Sequence, residues 1–68
     1  MNAKLLRILW SAVSETPPHV LIGVDDLALS RHLIGCIESR MHMSREESTE
    51  MHSYISARTP LIRDLAYS

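Results

Sequence analysis

The chain is 68 residues long, carries seven lysine and arginine residues against eight aspartate and glutamate residues, and contains one cysteine. A chain of this length forms a single domain over 1–68 and buries only about 60% of its unfolded surface. The balanced charge argues against nucleic acid as a partner, since nucleic-acid binders usually carry a basic excess or stripe. One cysteine excludes an intrachain disulfide, which suits a reducing, cytoplasmic location.

Residues 3–15 are predicted to form a first helix whose apolar side chains cover more than half of its circumference. A helix so widely apolar needs contacts on more than one side. Either it is an over-apolar core helix with Trp10 half exposed, or it contributes to a homo-oligomer interface. A membrane-surface helix is disfavoured because Lys4 and Arg7 make too small a basic face. Arg7 also interrupts the apolar run, so we expect neither a signal peptide nor a membrane span.

The segment that follows begins with Thr16, Pro17 and Pro18, which end the first helix because proline cannot continue its hydrogen-bond ladder. The apolar run HVLIGV at 19–24 has two interpretations. It is either an extended linker laid over the helices, which we favour, or a short strand. A single strand cannot make a sheet alone, so the second interpretation requires pairing with a second copy of the chain.

A second helix is predicted from Asp25, a good N-cap, to about His42. Away from its main apolar side, Ala28, Gly35 and Ser39 form a stripe of small residues. The favoured interpretation is a solvated face that tolerates glycine at a cost of about 1 kcal/mol relative to alanine. The alternative is that another helix, from a second copy of the chain, approaches closely along this stripe.

A third helix begins with the pattern Ser44-Arg45-Glu46-Glu47, which predicts a capping box, and runs to about Arg58. Thr59 and Pro60 then predict the N-cap and first residue of a separate short helix. A helix of this length is unstable by itself. It must therefore dock on its own chain or on a partner.

The residue types that carry chemistry give weak signals. His32 and Cys36 lie four residues apart, a spacing that metal ligands use, but two ligands do not make a site. We favour a histidine at the border of the apolar face and a buried, inert cysteine. The glycines are isolated and no serine lies in a nucleophile-elbow context. We therefore expect no enzyme, no cofactor and no metal.

The second and third helices, joined by a tight turn, resemble a helix-turn-helix in outline. The exposed start of the third helix, however, carries Glu46 and Glu50, and carboxylates facing phosphates are unfavourable. A DNA-binding or transcription-linked helical regulator therefore remains the alternative function.

The sequence predicts an all-α fold of three helices plus a short C-terminal helix, with an extended linker between helices 1 and 2. The predicted function is a small non-enzymatic protein-interaction or regulatory module that acts as a helical homo-oligomer, most simply a homodimer. An unidentified protein partner is also compatible with these surfaces. The candidate interface residues are Leu5, Ile8, Leu9, Trp10, Ala28, Gly35, Ser39, Leu61, Ile62 and Leu65.

Overall fold

A computed structural model describes residues 2–67, and within this range the protein is all-α with no strand. This confirms the predicted fold class. The elements are α1 (Ala3–Glu15), α2 (Pro18–Gly23), α3 (Asp26–Glu38) and α4 (Arg45–Ala66).

The first helix has the limits that the sequence predicts. The side chain of Asn2 accepts a hydrogen bond from the Lys4 amide at 2.8 Å, which caps the start of α1. At the other end, the Thr16 amide donates back to Ala12 and Val13. The ion pair between Glu15 and Arg40 then ties the end of α1 to the segment after α3.

The run at 19–24, predicted to be extended, is mostly the short helix α2, so neither the linker nor the strand interpretation is correct. Pro18 occupies the first helical position, where its fixed φ is favourable and its missing N–H costs nothing. The amides of Val20 and Leu21 donate to the Pro17 carbonyl. Leu21 is buried in the core and anchors a helix too short to be stable by itself.

Helix α3 corresponds to the predicted second helix, and it begins as predicted but ends early. The Asp25 carboxylate accepts from the Ala28 amide at 2.7 Å. The helix stops at Glu38 rather than near His42, and the Ser39 hydroxyl donates to the Cys36 carbonyl at 2.7 Å. A serine that bonds a carbonyl of the last turn competes with continuation of the helix.

Helix α4 joins the predicted third helix and the predicted short C-terminal helix into one continuous element. The capping box is confirmed, since the Ser44 hydroxyl accepts from the Glu47 amide and the Glu47 carboxylate accepts from the Ser44 amide. Thr59, however, is not an N-cap: its hydroxyl donates to the Ile55 carbonyl at 3.0 Å inside a continuous helix. Pro60 removes one rung of the ladder, a cost of about 3 kcal/mol. Complete burial of Ile55 and Ile62 on either side of it offsets this cost.

The core is formed mainly where α3 packs between α1 and α4, while α2 packs against α4. The accessible surface of 4342 Å² is close to the roughly 4,300 Å² expected for a folded monomer of this mass. The apolar circumference of α1 therefore does not by itself require a second chain. The largest fully buried side chains are Leu5, Leu9, Leu29, Leu33, Ile37, Met51, Ile55 and Ile62.

Replacing Ser44 with alanine should lower the free energy of unfolding by about 0.5–2 kcal/mol, because the first turn of α4 loses its cap. The exposed Ser53, inside the same helix, provides a matched control. Ser53→Ala should leave stability unchanged or raise it slightly, since alanine favours helix. Urea denaturation followed by circular dichroism measures both. Equal midpoints for the two variants would show that the capping box contributes nothing.

Candidate interaction surface

The last two turns of α4 are held in place by Arg63. Its guanidinium donates to the Leu21 carbonyl at 3.3 Å and to the Val24 carbonyl at 2.9 Å, and pairs with the Asp26 carboxylate at 2.8 Å. The last carbonyls of a helix lack intrahelical donors. Arg63 therefore caps the end of α2 and links it to the start of α3, which fixes the side of α4 that points away from both.

That opposite side carries two large exposed apolar residues. Leu61 and Leu65 are each 50% exposed and lie one helical turn apart, so they are neighbours on the surface. Arg58 lies on the same side, with its guanidinium 3.8 Å from the centre of the Tyr54 ring. We call this surface the Leu61 face and define it as Ala57, Arg58, Leu61, Asp64 and Leu65.

A cleft of about 300 Å³ adjoins the Leu61 face. Its walls come from α1, α2 and the end of α4, and Leu65 belongs both to the cleft and to the Leu61 face. Trp10, half-buried at the rim, contributes the largest side chain. The apolar surface is therefore continuous from Leu61 to Trp10. The other principal lining residues are Val13, Leu21 and Ala66.

The structure divides the predicted interface residues into three groups. Leu5, Leu9 and Ile62 are at most 1% exposed and lie in the chain's own core, so in this fold they are not available to a partner. The second group keeps accessible surface: Ile8 and Trp10 are half-buried, and Leu61 and Leu65 are exposed. The third group is the exposed small-residue stripe, in which Ala28 and Gly35 lie on α3 and Ser39 is its C-cap.

No part of the described chain, residues 2–67, packs against Gly35. A Cβ atom added there would meet nothing within 4 Å. Ser39 directs its hydroxyl to its own helix. The single chain thus leaves the stripe open.

Gly35→Ala should raise the free energy of unfolding by a few tenths to about 1 kcal/mol, because alanine loses less backbone entropy in a helix. Thermal unfolding measured over a range of protein concentrations follows this change. A lower melting temperature that is accompanied by weaker self-association would instead show that a second helix packs on the stripe, where one extra methyl group costs about 1–3 kcal/mol.

His32 and Cys36 form a polar cluster with Thr16. The buried Thr16 hydroxyl donates to the Ala12 carbonyl at 2.7 Å, so it accepts from His32 Nε2 at 3.2 Å. The same Nε2 lies 3.8 Å from Cys36 Sγ. The nitrogen that faces the thiol is therefore already in hydrogen-bond contact with Thr16. Cys36 is half-buried rather than fully buried as the sequence predicted.

The other described residues add no metal cluster. Within 2–67, no group of three or more histidine, cysteine, aspartate or glutamate side chains is placed to hold an ion. His52 instead bonds through Nδ1 to the hydroxyl of the buried Ser30 at 3.0 Å. Both of these histidines thus link helices.

Sequence reasoning missed Arg63 and most of the cleft. Arg63 lies in the last turn of a helix, where a basic residue is ordinary. Its bonds join positions about 40 residues apart, and no local pattern shows such a pairing. Val13 lies on the apolar side of α1, but its position beside Leu21 and Ala66 depends on the fold of α2.

No protein-family model matches the chain, and neither curated proteins nor solved structures give a match. Among the described helices, none has both the length and the apolar character needed to cross a membrane.

Arg63→Met should lower the free energy of unfolding by about 1–3 kcal/mol, because methionine keeps the aliphatic stem but leaves the α2 carbonyls without their charged donor. Asp26→Asn is the matched control. The Asp26 side chain is 78% exposed, and such surface ion pairs contribute at most about 1 kcal/mol. Chemical denaturation of both variants separates the capping bonds from the ion pair. Equal losses of unfolding free energy in the two variants would mean that the capping bonds add nothing beyond the ion pair.

Proposed function

We propose that this protein is a small non-enzymatic interaction or regulatory module that acts as a helical homo-oligomer, most simply a homodimer. The observation that supports this proposal is the continuous apolar surface that runs from Leu61 and Leu65 to the cleft beside Trp10. Contiguous apolar surface on a small protein is typical of interaction sites. The contacts of Arg63 on the opposite side of α4 hold this surface in one position.

The polar groups favour binding over catalysis. His32 bonds to Thr16, His52 bonds to Ser30, and Glu47 completes the cap of α4. Each of these contacts has a structural purpose. The cleft is lined by two hydroxyl residues, Ser14 and Thr16, and the Thr16 hydroxyl already bonds to Ala12 and His32.

The small net charge of the chain is compatible with self-association. A net charge of −1 gives little repulsion between two copies of the chain. The start of α4 presents Glu46 and Glu50 to solvent, which opposes a role as a DNA recognition helix. The free thiol of Cys36 suits a reducing compartment, and we propose the cytoplasm.

Light scattering across micromolar to submillimolar concentrations tests the proposal. We expect the average mass to rise from 7.7 kDa toward that of a dimer as concentration increases. A constant mass of one chain over the whole range would refute the homo-oligomer. Retention on a DNA column that falls with salt would support the regulator alternative instead.

A further inference from the structure

We propose that two segments of the chain, α2 and residues 61–66 of α4, open together as one unit that forms a lid on the cleft beside Trp10. We call this unit the lid, and we call residues 2–16 and 25–59 the body. The body stays folded when the lid opens. Every contact involved lies within a single chain, so the inference goes beyond the proposed homo-oligomer and does not depend on it.

The lid separates from the body part of α4 at Pro60. Proline has no amide hydrogen, so the ladder of α4 lacks the bond that this position would give to the Ser56 carbonyl. The neighbouring Thr59 hydroxyl donates to the Ile55 carbonyl at 3.0 Å, a side-chain bond of a kind that slightly destabilises a helix. A helix gains its stability one backbone bond at a time. The last turns therefore unfold from the missing bond while the turns before it persist.

Arg63 couples α2 to the end of α4. Its guanidinium donates to the Leu21 carbonyl at 3.3 Å and to the Val24 carbonyl at 2.9 Å, and α2 packs against α4. No side chain caps the start of α2, and a helix of six residues is not stable without such contacts. Unfolding of residues 61–66 therefore releases α2 as well.

Most of the buried apolar surface lies in the body. Of the thirteen buried apolar residues of the described chain, eleven belong to the body and two, Leu21 and Ile62, belong to the lid. Apolar burial is the main favourable contribution to folding, so the body is the more stable part. Lids and other moving elements are drawn from the less stable parts of a fold.

The lid supplies two walls of the cleft, whose volume is about 300 Å³. Pro18 and Leu21 come from α2, and Leu65 and Ala66 come from the end of α4. The third wall belongs to α1, where Val13 is only 6% exposed. Opening of the lid removes the first two walls and turns the cleft into an open apolar face of α1. The lid thus controls access to Val13.

Residue-resolved hydrogen exchange of the full chain tests the lid, with alanine and glycine variants on either side of Pro60. Leu61 and Ser53 are both exposed on α4. Glycine in place of alanine should speed about fivefold every exchange that requires the substituted residue to leave the helix. Leu61→Gly, compared with Leu61→Ala, should therefore speed exchange of the Leu21 and Ile62 amides by this factor.

Position 53 provides the matched control, because it stays helical when only the lid opens. Ser53→Gly, compared with Ser53→Ala, should leave exchange of the Leu21 and Ile62 amides unchanged. The same comparison should speed exchange of the Leu33 amide, in the body, by about fivefold. Ser44→Ala, which removes the cap of α4 in the body, should give the same pattern as Ser53→Gly.

A cysteine placed in the cleft tests whether the lid controls access. In a Cys36→Ser background, Val13→Cys should react with a thiol reagent about fivefold faster when combined with Leu61→Gly than with Leu61→Ala. It should react equally fast when combined with Ser53→Gly or Ser53→Ala. Circular dichroism checks that each variant is folded.

Three results would overturn the inference. If the position-53 variants change exchange at Leu21 and Ile62 as much as at Leu33, these amides exchange only when the whole chain unfolds, and there is no lid. If the position-61 variants change exchange at Ile62 but not at Leu21, the two segments open separately. If labelling of the cysteine at position 13 does not respond to the position-61 variants, the two segments do not cover the cleft.

Discussion

The side chain of Arg63 ties the C-terminal half of α4 to α2 and to the start of α3. Its bonds to the Leu21 and Val24 carbonyls close a helix of six residues that could not persist alone. Its pairing with Asp26 brings the same guanidinium to the first turn of α3. The junction between α2 and α3 and the end of α4 thus depend on a residue about 40 positions away in sequence.

Local signals predict the fold well where neighbouring residues decide it. Asp25 and the Ser44–Glu47 box mark helix starts because their side chains bond amides three residues away. Local signals fail to predict the helix limits where contacts between distant residues determine them. Pro18 and Pro60 are both strong signals for an interruption, yet burial of Leu21, Ile55 and Ile62 favours helix at each.

The candidate site was only partly predictable for a related reason. Periodicity identifies the apolar residues of a helix, but it cannot say which of two adjoining apolar arcs the core will cover. In the C-terminal half of α4, Ile62 enters the core while its neighbour Leu61 stays half exposed. In α1, the core takes Leu5 and Leu9 and leaves Trp10 at a cleft. That division depends on how α3 and α2 lie against these helices.

This division separates the residues that stabilise the fold from those available for association. Leu5, Leu9 and Ile62 are covered within a single chain, so their burial contributes to folding whether or not a second copy is present. Leu61 and Leu65 each leave half of their surface exposed to solvent. A chain that covers its own core does not need a partner to fold. The proposed association would therefore be reversible, and substitutions at Leu61 or Leu65 should change it with little effect on the fold.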